Sequence, residues 1–289
     1  MIRSKRVGLW VGAAAISVAA SAMRPARLDP RDLAHRFDFE EPLAVFTLPS
    51  TLDEVSGLAF FSGERLLAHN DEVAVAFTLD PVSGAVTGTS TLGTPTVRGD
   101  FEGIAVAGSR AFLITSSGIL YAFQGGSAEA GQPYRTADTG LGDRCEAEGL
   151  AYDAGADELL VACKRHSGPD DVAWVYRVWL GPGEMRVRPV RIPLDVSNSA
   201  LGDGFHPSGI EVDPMTGTLV LVSAREEAIM EVTPDGRVLS AVLLRKRRHP
   251  QPEGIAFDGE GNLYVADEAH GRQARLTVYR RILDPGAQN

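Results

Sequence analysis

The sequence predicts an all-β protein, a five-bladed β-propeller closed by an N-terminal strand that completes the last blade. Three observations predict it. A glycine-centred phrase occurs five times at nearly constant spacing, and each copy opens a series of short apolar runs. The fifth series lacks its last run, while one unclaimed run, LAVFTLPS from Leu43, precedes the first.

The phrase reads EVSGLAF at Glu54 to Phe60, DFEGIAV at Asp100 to Val106, EAEGLAY at Glu146 to Tyr152, HPSGIEV at His206 to Val212 and QPEGIAF at Gln251 to Phe257. Its glycines, Gly57, Gly103, Gly149, Gly209 and Gly254, are 46, 46, 60 and 45 residues apart, a period of propeller-blade length. Polar segments starting at Arg165 (RHSGPDD) and Asp195 (DVSNSALGDGF) absorb the long interval, which makes a sixth blade unnecessary. Second runs follow at LLAHND, FLITSS, LLVACK, LVLVSA and LYVADE, and third runs at VAVAFTLD, ILYAFQ, AWVYRVWL, AIMEVTP and LTVYRRI. Fourth runs, AVTGTSTL, YRTADTGL, RVRPVRIPL and RVLSAVLL, are present in the first four repeats only. These segments are short, rich in β-branched and aromatic residues and bounded by Gly, Asp and Pro, which is strand chemistry. Turn sequences such as Asp80-Pro81-Val82-Ser83-Gly84, Asp213-Pro214-Met215-Thr216-Gly217 and Asp258-Gly259-Glu260-Gly261 separate them. Pairing the N-terminal run with the incomplete last blade closes the ring and removes exposed sheet edges.

The first 22 residues, MIRSKRVGLWVGAAAISVAASA, have a basic start, an apolar middle and a small-residue end. That is the layout of a secretory signal peptide cleaved near Ala22, and the apolar run is too short and too rich in small residues to favour a membrane anchor. The expected organisation is therefore a signal at 1–22, a linker at 23–40, the propeller at 41–283 and a tail at 284–289, with no membrane span after cleavage. The chain of 289 residues carries a net charge of −10, which the loss of Arg3, Lys5 and Arg6 takes to −13. Such a balance argues against nucleic acid as a partner and is compatible with cations. Export to the periplasm or beyond permits a disulfide between Cys145 and Cys163; two separate buried thiols are the alternative.

The first strand of a propeller blade lines the central channel, so the residues before the five glycines form a column around one end of it: Ser56, Glu102, Glu148, Ser208 and Glu253. Three carboxylates converging there require a cation, a proton or a basic partner. A hard cation such as Ca²⁺ suits a ring of carboxylates, hydroxyls and water, and Glu102, Glu148 and Glu253 are the predicted metal ligands. Strand capping or pairing with arginine is the bland alternative. Glu54, Asp100, Glu146, His206 and Gln251, two positions upstream, form a second tier. So do the ends of the second strands, Asn70, Ser116, Cys163, Ser223 and Asp267 followed by Asp71, Ser117, Lys164, Ala224 and Glu268.

The succession EVSGLAF, DFEGIAV, EAEGLAYD with ELLVACK, HPSGIEVDPMTGTLVLVS and QPEGIAFDGEGNLYVADE resembles the SdiA-regulated (YjiK-like) family of exported bacterial proteins, from about Leu43 to Ile282. The resemblance implies a five-bladed propeller distantly related to NHL-repeat propellers, a calcium site and no established biochemical activity. Ser56 and Ser208 depart from a uniform glutamate column. The expected role is binding of a small ligand or an envelope protein by a monomer. The alternative is a metal-dependent hydrolase, an esterase, lactonase or esterase-like phytase, with His69 or His206 as base. No GxSxG, HExxH or Walker loop occurs. The basic run Arg245 to His249, RKRRH, reads either as a phosphate or anionic-lipid contact or as a solvated loop.

Overall fold

The computed structural model describes residues 33–282 except 63, 180, 182–183 and 195–203; the predicted signal at 1–22 lies outside the described residues. Twenty strands form five four-stranded antiparallel sheets. The first strand, β1 (Ala44–Thr47), stands apart from its sequence neighbours. Blade 1 contains β2 (Val55–Phe61), β3 (Arg65–Asn70), β4 (Val75–Leu79) and β5 (Val86–Thr91). Blade 2 contains β6 (Phe101–Ala107), β7 (Arg110–Thr115), β8 (Ile119–Gln124) and β9 (Arg135–Asp138). Blade 3 is β10 (Cys145–Asp153), β11 (Glu158–His166), β12 (Val172–Trp179) and β13 (Arg186–Pro193), and blade 4 is β14 (Gly209–Val212), β15 (Leu219–Ser223), β16 (Ala228–Val232) and β17 (Val238–Leu243). Blade 5 runs β18 (Pro252–Phe257), β19 (Leu263–Asp267), β20 (Arg275–Tyr279) and then β1. Ala44 pairs with Val278 and Phe46 with Leu276, so the N-terminal strand closes the ring as the repeat arithmetic requires.

Each blade is apolar on both faces of its inner strands because it is sandwiched between two others. Five buried clusters result, one at each blade junction. The junction of blades 5 and 1, for example, packs Leu58, Leu66, Val75 and Phe77 against Ala256, Tyr264, Leu276 and Val278. This is as continuous as the other four junctions, and the closure is therefore a packed interface as well as a hydrogen-bonded one. A single helical turn, α1 (Leu33–Arg36), and Phe37 add to the junction of blades 4 and 5, where Leu33 and Phe37 are wholly buried. There Arg36 and Arg281 both bind the buried Asp213, at 3.0 and 2.5 Å, and Arg36 also contacts Glu231. Two guanidinium groups around one sequestered carboxylate satisfy a charge that would otherwise be costly to bury.

Cys145 and Cys163 form a disulfide between β10 and β11, which settles the choice that the sequence left open. Among the described residues no helix is long and apolar enough to cross a membrane.

Candidate functional site at the axial mouth

The glutamate column is built by a repeated irregularity of the backbone. In four blades the ladder between the first and second strands slips by one residue at the column position: Phe101 faces Thr115 but Gly103 faces Ile114, which leaves Glu102 unpaired. The same slip isolates Ser56, Glu148 and Glu253. A bulge re-aims the side chain of its extra residue, so the column residues are freed from the ladder beside the axis.

The following glycine is required by space. A Cβ on Gly103 would lie 2.7 Å from the backbone nitrogen of Leu150 and 2.8 Å from its Cβ, in the next blade. Gly149 meets Gly209 and Ile210 in the same way, and Gly254 meets Gly57 and Leu58. The inner backbones are thus in direct contact, as the glycine repeat predicts. Below the mouth the residues after these glycines, Leu58, Ile104, Leu150, Ile210 and Ile255, are buried and leave a void of about 10 Å³, barely room for one water. The channel is therefore a blind cup. On the opposite face a separate bowl of about 250 Å³ is lined by Phe60, Val106, Tyr152, Glu211 and Phe257, and burial pushes the Glu211 carboxyl up to about 8.

In the acidic cup the three predicted carboxylates act on one another. Burial, the Glu148 charge and Asp100 push Glu102 up to about 9. Burial and then Glu148 push Glu253 up to about 8. Glu148 is also raised by burial, but Lys164 draws it back, donating from Nζ to Oε1 at 2.9 Å. Burial lowers Lys164, whereas Glu148, Glu253 and Glu102 raise it by more, so the ammonium stays charged. Farther out, burial and Asp71 raise Glu268, and Asp71 raises Glu54. Burial and neighbouring negative charge thus favour the protonated forms of Glu102 and Glu253, beside the Glu148–Lys164 contact.

Lys164 is the residue whose importance the sequence understated. It lies in the second-tier column with Asp71, Ser117, Ala224 and Glu268, and its signal is that it is the one cation there. The two serines of the glutamate column are occupied by backbone. Ser208 Oγ donates to the Pro252 carbonyl at 2.7 Å and accepts from Ala224 N–H at 3.1 Å, tying blade 4 to blade 5. Ser56 Oγ donates to the Glu54 carbonyl at 3.2 Å. In the second tier Asp100 accepts from Ser116, Glu146 pairs with the exposed Arg165, and Gln251 bonds Glu268. Asp267 holds His249, which reaches Tyr279 at 2.5 Å in a fully buried chain.

Of the two histidines considered as a base, His206 has both ring nitrogens engaged, whereas His69 is shut away from solvent with its Nε2 unpartnered among the described residues. His69 is completely buried, its Nδ1 donating to the Asn70 carbonyl at 2.9 Å, and burial lowers it to about 4. His206 has Nδ1 on Glu226 at 2.8 Å and Nε2 on Arg225 at 3.0 Å.

The donor chemistry of the cup, carboxylate oxygen throughout, is of the kind calcium takes. The positive charge that faces these carboxylates, however, is the Lys164 ammonium. Among the described residues no three His, Cys, Asp or Glu side chains converge closely enough to hold a metal ion. A cation entering the cup would have to displace the Lys164 ammonium from Glu148.

These features define a five-bladed propeller with an acidic, lysine-capped axial cup. The fold recurs in solved structures. The glutaminyl cyclase of Myxococcus xanthus is 17% identical with a TM-score of 0.58 over 84% of this chain and 97% of that one. A streptogramin B lyase is 12% identical at 0.48, over 83% and 97%. The PQQ-bound aldose sugar dehydrogenase of Streptomyces coelicolor is 13% identical at 0.48, over 84% and 100%. At 17% identity the likeness to the cyclase extends to architecture alone. Residues 38–270 match the family model described as SdiA-regulated, and the chain belongs to that family.

Proposed function

We propose that this is an exported cation-binding propeller whose ligand enters the acidic cup and takes the place of the Lys164 ammonium and of the protons on Glu102 and Glu253. The observation that carries the reading is the Lys164–Glu148 ion pair at 2.9 Å in a cup that also holds Glu102 and Glu253, both kept far above the ordinary carboxylate range. Carboxyls kept protonated by burial and mutual repulsion give up their protons when a stronger positive charge arrives. Calcium, with Glu102, Glu148 and Glu253 as its oxygen ligands once Lys164 has moved aside, is the first such ligand. A cationic small molecule or a basic side chain of an envelope partner would use the same cup.

Calorimetric titration of the metal-stripped protein with CaCl₂ tests this. The wild type should bind calcium, E102Q/E148Q/E253Q should not, and K164M should bind more tightly because the competing ammonium is gone. Failure of all three proteins to bind, or equal binding by the triple variant, overturns the reading.

A second reading, hydrolysis of esters, lactones or phosphate esters, is favoured by one feature. A protonated carboxyl, a carboxylate and an ammonium share the cup, which are the parts of general acid–base catalysis. Turnover of a panel of these substrates that disappears in both E102Q and K164M would establish it.

A further inference from the structure

A second site follows from the basic run that the acidic cup leaves unexplained. Beside the outer strands of blade 5, at the connection from blade 4, lies a cavity of about 290 Å³ lined by Val45, Arg245, Arg247, Arg248, Arg272 and Arg275. Five arginines converge on it in a chain whose net charge is −10. Arg245 to Arg248 belong to the connection from β17 to β18, and Arg272 and Arg275 to the connection from β19 into β20. Because β18 begins and β19 ends at the glutamate column, both connections open on the same face of the disc as the acidic cup.

Little within the protein compensates this charge. Arg245 is paired with Glu40, Nη2 to Oε2 at 2.5 Å. Arg248 and Arg275 donate to backbone carbonyls, Arg248 Nη1 to Phe39 at 2.5 Å and Arg275 Nη2 to Arg248 at 2.8 Å, and Arg248 also interacts with the neutral Tyr279 hydroxyl. These bonds fix the two guanidinium groups in place without neutralising them. Arg247 and Arg272 have no side-chain partner among the described residues. Like charges gathered at a cavity repel one another unless an anion sits between them. Guanidinium forks match the paired oxygens of a phosphate, the dianion or monoanion that satisfies several arginines at once.

Apolar side chains lie in and near the cavity. Val45 lines the cavity, and Leu43, just before β1, is 51% exposed. Leu243, at the end of β17 directly before the arginine connection, is 57% exposed.

We propose that this cavity binds a phosphate group carried on an apolar body, with Arg247, Arg248, Arg272 and Arg275 holding the phosphate and Val45 contacting the body. Two sources share this chemistry, the headgroup of an anionic phospholipid and a soluble phosphate ester. The site is independent of the acidic cup.

The test uses the mature protein, its R247Q/R272Q variant and the E102Q/E148Q/E253Q variant, each confirmed folded by thermal melting. The two substituted arginines make no contact on which the fold relies. Inorganic phosphate and pyrophosphate are titrated calorimetrically at constant ionic strength, and vesicles of phosphatidylcholine with and without phosphatidylglycerol are used in co-sedimentation. Saturable binding of phosphate, pyrophosphate or phosphatidylglycerol vesicles by the wild type is expected. R247Q/R272Q should weaken it by more than about tenfold, the loss of at least one charge-assisted hydrogen bond, and the triple glutamate variant should leave it unchanged. Vesicle binding identifies the lipid as the source; phosphate binding without vesicle binding identifies a soluble ester. No binding of any probe, or equal binding by R247Q/R272Q, overturns the proposal.

Discussion

Raising the pH should weaken this protein through its axial cup, and two substitutions should remove the cup's share of the effect. Glu102 and Glu253 are pushed up to about 9 and about 8 in the folded protein, so each takes up a proton on folding. The sign follows directly: their contribution is complete below the unfolded carboxyl value of 4.5 and is lost as pH rises through about 8 for Glu253 and about 9 for Glu102. The limiting slope is about 1.4 kcal/mol per pH unit for each carboxyl. Glu102 is partly open to solvent and Lys164 offsets part of the repulsion, so a smaller loss, on the order of 3 kcal/mol between about pH 5 and about pH 9, is expected. Glutamine keeps the size of a protonated glutamate and cannot titrate. Urea denaturation followed by tryptophan fluorescence across this range should therefore give a falling line for the wild type and a shallower one for E102Q/E253Q, with the residual slope carried by Glu211 and the variant the more stable at the alkaline end. Parallel lines would refute the reasoning, because the pH dependence would then arise elsewhere.

Other consequences are more local. Gly103→Ala forces a methyl against the Leu150 backbone at 2.7 Å; because backbone cannot swing aside, a loss of about 1–3 kcal/mol is expected in equilibrium denaturation. Replacing both Cys145 and Cys163 by serine opens a loop with a sequence separation of 18, worth about 3 kcal/mol on the chain-entropy model, or on the order of 6–12 °C in melting temperature. A reducing agent should lower the wild type towards the variant. Ser208→Ala removes the donor to Pro252 and the acceptor for Ala224, and should cost about 1–3 kcal/mol in stability with no change in calcium titration, since its hydroxyl holds the blades together.

The propeller was legible because its physics is repetitive. Inner strands crowded around an axis demand glycine at the same place in every blade, against the neighbouring backbone at Gly103, Gly149, Gly209 and Gly254 and against His69 at Gly57, and the repeat registers that demand at nearly constant spacing. Ring closure was legible for a similar reason, since four complete fourth strands make the missing fifth conspicuous. The details of the site were less accessible because they occur once. A bulge has no sequence signature beyond the glycine it precedes, so the column could be placed near the axis but the backbone slip that releases Glu102, Glu148 and Glu253 could not. Lys164 has no counterpart in the other blades, and its pairing with Glu148 depends on the reach of a side chain from β11 across to β10. The packing of Leu33 and Phe37 depends on a cleft formed by residues more than 180 positions away.

The central claim, that the acidic cup exchanges protons and its lysine for a cation, is tested most directly by calorimetric titration of calcium near neutral pH in buffers of different ionisation enthalpy. The account predicts that binding releases protons, so that the apparent enthalpy varies with the buffer, and that the release falls sharply in E102Q/E253Q. Calcium binding with a buffer-independent enthalpy, or no binding by wild type and K164M alike, would contradict it.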